Sequence, residues 1–347
     1  MCPTRPAWCR FRLPTRCIKP DARGASSRPE PSNCARYLVI GPWYHGQEID
    51  DGSSLGAIRF DSDTGLYFRR RILAPFLARY LQDAPTSAAP VAHVNAFRTG
   101  DNVWESLPQW PLGCGGACAP NPTPLYLRAD RTLGWDAPGT GMAFDEYVSD
   151  PARPVPYRQR PIPSVGYEPP YYTWKYWLVD DQREFSGRTD VLTYVTSPLE
   201  KSLAIAGEPV ANLVAATTGT DIDWVVKLID VYPSEVPGQS QMGGYQLAVA
   251  MDIFRGRYRE DPGTPKPVKP NAVLTYRFAL PTTHHVFLPG HRIMIQVQSS
   301  WFPLYDRNPQ TFVPNIFEAQ PADFRKATQR IYHAPGKASF VELPVVP

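Results

Sequence analysis

His45 is the residue of this 347-residue chain best placed by its surroundings to move a proton. Imidazole titrates near neutrality, so a histidine on a loop can act as a general base. Seven residues on, Gly52-Ser53-Ser54-Leu55-Gly56 satisfies the G-x-S-x-G pattern of a nucleophile elbow. Its context argues against that role. An elbow serine follows a buried strand and precedes its histidine in the chain, whereas Ser54 follows His45 and is led in by Asp50-Asp51. Those two nearby aspartates could orient His45, but only through an unusual turn. Asp221, Asp223 and Asp252 lack an EF-hand loop around them and read as solvated or paired. His284, His285 and His291 do not read as a metal trio, because adjacent strand residues point to opposite faces.

His45 must be positioned by the stretch before it, residues 37–46, YLVIGPWYHG. Tyr37 to Ile40 is a short apolar run with no polar position, as in a strand of a parallel sheet buried on both faces. Gly41-Pro42 stops the strand, since proline has no N–H for the ladder. His45 is thereby left on the loop beyond the strand's carboxyl end, where open α/β sheets carry their chemistry. Pattern alone leaves two readings, a catalytic base or a hydrogen-bonded loop histidine. Asp63-Thr64 then opens a helix to about Asp83, with Phe68, Ile72, Phe76 and Tyr80 recurring every four residues and Pro75 kinking it. Residues 84–90 form a Pro/Ala/Ser linker. From Val91 the texture is β: runs such as VLTYVTSPL, DWVVKLIDVYP and HRIMIQVQSSW predict an antiparallel sandwich, with Trp104 and Trp110 as packing anchors.

GPWYHG (41–46), DGSSLGAIRF (51–60), AFDEYVSDPARPVP (143–156), TDIDWVVKLIDVYP (220–233), MGGYQLAV (242–249), IFRGRYRE (253–260) and QSSWFPLYDRNPQTFVPNIF (298–317) together resemble a known superfamily. It is that of cocaine esterase, Xaa-Pro dipeptidyl-peptidase and α-amino-acid ester hydrolase (CocE/NonD). The likeness is greatest to α-amino-acid ester hydrolases and glutaryl-7-aminocephalosporanic-acid acylases, and covers roughly residues 37–345. It implies a mainly β chain: a C-terminal jelly-roll β-sandwich (91–347) preceded by the last strand and helix of a truncated α/β-hydrolase core (37–90). It also implies that His45 is the general base of a Ser-Asp-His triad acting on small ester, amide or peptide substrates. No cofactor, metal, nucleic acid or membrane enters this picture, and a homo-oligomer is compatible with it. Loops of the sandwich such as WFPLYDRNP (301–309) are expected to wall the acyl pocket. By the same resemblance Cys114 and Cys118 form a local disulfide, which belongs to an oxidising compartment; two free thiols or a redox pair remain the alternatives.

The family's serine and aspartate precede its histidine, and neither motif occurs in the 44 residues before His45. Residues 1–36 instead carry eight basic side chains against two acidic ones, a net +6 in a chain of net +3, with six prolines and four of the six cysteines. Such a segment is expected to be disordered and outside the family pattern, and it has no apolar core of a secretory signal. The chain alone is therefore expected to be inactive, as a truncated product. The alternatives are a complementing subunit or a non-catalytic β-sandwich binding module. A strand and helix without the rest of their sheet are also expected to leave apolar surface uncovered.

Overall fold

The computed structural model describes the backbone of residues 9–13 and residues 36–81, 90–139, 143–162 and 176–347 in full. Strand β1 (Cys9–Leu13) runs antiparallel to β2 (Tyr37–Gly41). After β2 come a small hairpin, β3 (Ser54–Leu55) and β4 (Ile58–Arg59), then helix α1 over residues 64–81. Strands β5 (Val94–Arg98) and β6 (Val103–Leu107) close the first sheet in the order β1-β2-β5-β6, with β2 and β5 parallel.

Helix α1 starts where the sequence places it. Asp63 caps it, its Oδ1 accepting Leu66 N–H at 2.8 Å, and Phe68, Ile72 and Phe76 are buried. Pro75 does not break the helix. The turn before it, Phe68–Leu73, widens to π geometry, with Ala74 N–H reaching back to Arg69 C=O. A widened turn relieves the clash that a proline ring makes with the carbonyl four residues earlier.

The remaining strands are β7 (Asn121–Leu127), β8 (Leu133–Gly134), β9 (Phe144–Ser149), β10 (Leu192–Val195), β11 (Leu203–Gly207), β12 (Val210–Thr217), β13 (Asp223–Val231) and β14 (Gln246–Arg255). They continue with β15 (Leu274–Ala279), β16 (Thr283–Phe287), β17 (Arg292–Gln298), β18 (Ala327–Ala334), β19 (Lys337–Ala338) and β20 (Phe340–Val346). A four-stranded sheet, β10-β17-β13-β14, packs on a ten-stranded one whose main path is β16-β11-β20-β12-β18-β19. The core between them holds Trp224, Val226 and Leu228 of β13 with Ile331, Val341 and Leu343 of the facing sheet. DWVVKLIDV lacks clean alternation because both faces of β13 are covered: Val225 and Ile229 on its other face pack with Met251 and Trp301.

Three expectations need correction. Residues 1–36 are not without structure throughout, since Cys9–Leu13 lines the edge of β2; apart from Arg36, the rest of that segment lies outside the described residues, as does most of the linker at 84–90. The β runs that follow residue 91 do not all join the sandwich. β5 and β6 belong with β2, and from there Thr99 bridges to His285 of β16, joining first sheet to sandwich. Nor is the apolar surface of β2 bare: Tyr37, Val39 and Ile40 are buried, while α1 exposes Tyr67 in its first turn and Leu77, Tyr80 and Leu81 at its far end.

Buried charge is concentrated in β13 and its neighbours. Asp221 accepts two hydrogen bonds from Arg257, Nε at 2.8 Å and Nη2 at 2.6 Å. Asp223 accepts from Asn308 at 2.9 Å, and burial pushes its carboxyl up to about 6. Asp230 accepts from His285 at 3.2 Å and His291 at 2.8 Å; burial opposes its charge, but the two histidines hold it below the usual range. Lys227 is fully buried, donates to Gln182 at 2.9 Å and lies 4.5 Å from the Phe185 ring, and burial pushes its amine down to about 7.

Between about pH 7 and the ordinary lysine value near 10.5, the unfolded chain holds a proton on Lys227 that the folded chain does not. Stability therefore rises with pH across that window. In urea unfolding at pH 7 and pH 9, Lys227→Met is expected to be at least as stable as the parent at pH 7 and to lose this part of the pH slope.

Candidate functional site

The His45 loop has almost no regular secondary structure, so its shape rests on side chains. Leaving β2, the chain turns at Gly41, where a Cβ would collide with the Trp43 ring. Trp43 is buried and its indole N–H donates to Thr64 Oγ1 at 2.8 Å; Thr64 in turn donates to Gly52 C=O at 2.7 Å. Gly46 follows the histidine at φ +94°, a left-handed conformation that favours glycine. Gln47, 3% exposed, fills the middle of the loop. Its Oε1 accepts Tyr44 N–H at 3.3 Å, and its Nε2 donates to Asp51 C=O at 3.1 Å and Ser54 C=O at 2.8 Å. From outside, Arg69 Nη1 donates to Glu48 C=O and Asp50 C=O, each at 2.8 Å. Asp63, besides capping α1, accepts Gly52 N–H at 2.9 Å.

The result is an exposed imidazole on a braced support. His45 is solvent-accessible and makes no hydrogen bond to the described residues. Neither nearby aspartate orients it: Asp51 accepts Ser53 Oγ–H at 2.5 Å and Ser53 N–H at 3.0 Å, which holds its carboxyl below the usual range, and Asp50 is exposed. Ser54 is exposed and sits in the β3–β4 hairpin opposite Arg59, so the G-x-S-x-G stretch is a hairpin strand, not an elbow between strand and helix. That hairpin has a packing role. Leu55, Ile58 and Phe60 are buried against Val179, Met242, Tyr245 and Leu247 of the sandwich side, with Tyr44 packed on the same cluster. A narrow, mostly apolar cavity under the loop is lined by Trp43, Leu55, Val179, Leu247 and His285.

Cys114 and Cys118 are joined in a disulfide, Cα atoms 5.6 Å apart, and close a loop beside the chain's last residues. The other four cysteines lie in the segment whose side chains are not described. His284, His285 and His291 do not gather: His284 Nε2 faces Glu105 at 3.2 Å, while His285 and His291 share Asp230. Among the described residues no group of three or more His, Cys, Asp or Glu could hold a metal ion, and no helix is long and apolar enough to cross a membrane. Trp301 packs against Trp177 over the outer face of β13, and Phe302, Asp306 and Arg307 line a separate groove.

The model of the X-Pro dipeptidyl-peptidase C-terminal non-catalytic domain matches residues 86–342. The chain belongs to that family. This X-Pro dipeptidyl-peptidase C-terminal family member is 31% identical over 327 residues to the cocaine esterase of Rhodococcus sp. (strain MB1 Bresler), covering 90% of the chain and 52% of the esterase. Among solved structures it is similar to an α-amino acid ester hydrolase, at 52% identity and TM-score 0.86, over 90% of the chain and 50% of that protein. It is also similar to an aminopeptidase from a marine sediment Thaumarchaeota archaeon, at 52% identity and TM-score 0.84, over 89% and 49%. The chain thus spans about half the length of the relatives it matches, and those relatives are esterases and hydrolases.

Gln47 is the residue that sequence reasoning missed. A polar residue in a loop next to a histidine carries no signal of being a buried strut. Gln47→Ala removes the side-chain partner of the Tyr44 N–H and of two carbonyls, all partly buried, so it is expected to lower stability by about 1–3 kcal/mol in chemical unfolding, whereas His45→Ala, at an exposed position, is expected to change it by less than about 0.5 kcal/mol. Equal effects of the two substitutions would contradict the bracing.

Proposed function

We propose that this chain is the carboxyl-terminal part of a serine hydrolase acting on esters or amides of α-amino acids, of the α-amino-acid ester hydrolase, β-lactam acylase or Xaa-Pro dipeptidyl-peptidase type. In that reading His45 is the general base. The observation that carries it is the exposed imidazole on a braced loop at the carboxyl end of a parallel strand, in a chain with 52% identity to an α-amino acid ester hydrolase over 90% of its length.

The chemistry follows from what one imidazole can and cannot do. A serine hydroxyl is a weak nucleophile until a base takes its proton as it attacks the carbonyl carbon. His45 receives that proton and returns it to the departing alcohol or amine. A carboxylate on its other ring nitrogen fixes the tautomer and stabilises the imidazolium. Backbone donors near the serine hold the oxyanion. His45 supplies the proton transfer alone. No described residue stands beside it as nucleophile or orienting carboxylate, and the jelly-roll half contributes the platform on which the loop rests.

These 347 residues alone are accordingly inactive or nearly so, since loss of a triad nucleophile removes on the order of 10⁶ in kcat. The purified chain is expected to give p-nitrophenyl acetate hydrolysis that is unchanged by His45→Ala. Joined to the serine-bearing half of an α-amino-acid ester hydrolase, it is expected to turn over amino-acid esters, with His45→Ala lowering kcat by a comparable order. Turnover by the joined protein that survives His45→Ala would remove His45 from the mechanism.

A further inference from the structure

The long crossing between β17 and β18, residues 299–326, folds over one end of the sandwich and opens a groove of about 730 Å³. Its walls include Asp150, Asp306, Arg307, Phe317, Phe324 and Lys326. His45 does not line it. The Arg307 guanidinium carbon lies 5.5 Å from the centre of the Phe302 ring and 5.0 Å from that of Phe324, and Nη1 donates to Pro151 C=O at 2.9 Å. A guanidinium packed against two rings is fixed in orientation without having its remaining N–H groups used. Among the described residues, those remaining donors meet no acceptor.

The other charges divide cleanly. Lys326 and Asp150 satisfy each other at 3.1 Å, and Ala152 N–H takes the second Asp150 oxygen at 3.0 Å. Asp306 is exposed, and its carboxylate has no partner among the described residues. Although adjacent in sequence, Asp306 and Arg307 do not pair with one another. The groove therefore offers one unspent cation and one unspent anion that are held apart. Its rim is apolar: Phe317 is 75% exposed, yet it is not on a trailing loop. Asn315 Oδ1 accepts Phe317 N–H at 3.1 Å, and the next turn is closed by Gln320 and Asp323. The Phe317 ring is thereby held in place as an apolar wall at the mouth of the groove, beside Phe324 and Phe302.

We propose that this groove binds a short unblocked peptide with apolar side chains, its carboxylate on Arg307, its ammonium on Asp306 and a side chain against Phe317. A ligand carrying both charges at its two ends matches two groups that do not pair with each other. The groove's volume lies within the range of small-ligand sites and exceeds what a single amino acid fills. No covalent step is involved.

The probe is the dipeptide leucyl-phenylalanine, titrated calorimetrically into the intact chain at low salt. Saturable binding is expected, weakened about tenfold when either terminus is blocked by acetylation or amidation. Asp306→Asn is expected to weaken the free dipeptide to a similar degree while leaving the N-acetyl form unchanged, and Phe317→Ala to weaken every form. Both positions are exposed, and unchanged thermal unfolding of the variants will show that the fold is kept. Absence of saturable binding in the millimolar range, or equal binding of blocked and unblocked dipeptide, overturns the proposal. The readout is equilibrium binding to the chain itself, so it stands or falls separately from any turnover involving His45.

Discussion

The site depends on an apolar seam. Leu55, Ile58 and Phe60, from a hairpin of four paired residues, are buried on Val179, Tyr245 and Leu247. A hairpin this short has no stability of its own in water. Each buried side chain of this size contributes about 1.5–3 kcal/mol on transfer from water, so three of them outweigh the few ladder hydrogen bonds available. The seam fixes the far end of the loop that begins at Trp43. Inside it, Gln47, Thr64 and Asp63 can then act as rigid struts, because each hydrogen-bonds a backbone group that is already in place.

The same logic extends to the junction between the first sheet and the sandwich. Thr99 reaches β16 through backbone bonds of 3.1 Å to His284 C=O and 2.8 Å from Val286 N–H, and its hydroxyl meets His285 Nδ1 at 2.8 Å. His285 passes the contact on to Asp230 and so to His291. A buried carboxylate between two imidazoles is no gain over apolar packing in energy alone. It does restrict the junction to arrangements that keep all three groups partnered, and this suits a platform whose role is to hold a loop in one place.

Much of this was legible in the sequence. The polar-free run before Gly41-Pro42 marked β2, Asp63-Thr64 marked the start of α1, and the repeat of Phe68, Ile72 and Phe76 marked its buried face. Pro75 signalled a distortion, although composition does not say that it takes the form of a widened turn. What stayed hidden is the assignment of strands to sheets. β5 and β6 have the same texture as the sandwich strands, and pairing with β2 is set by tertiary contacts that leave no local trace. Cys9–Leu13 was concealed by its basic, proline-rich surroundings, which outweigh five residues of strand. The groove at Arg307 was invisible for another reason: whether neighbouring charges pair is a matter of side-chain direction, which sequence does not carry.

Hydrogen exchange of the loop's own amides tests most directly whether the sandwich holds the His45 loop. Tyr44, Gln47, Asp50 and Gly52 each donate to a partner within the loop or its braces. If the seam and struts fix the loop, these amides exchange as slowly as those of β14 and lose protection together with them as denaturant is added. Exchange at free-peptide rates while β14 stays protected would show that the loop moves independently of the sandwich, and that His45 is not positioned by it.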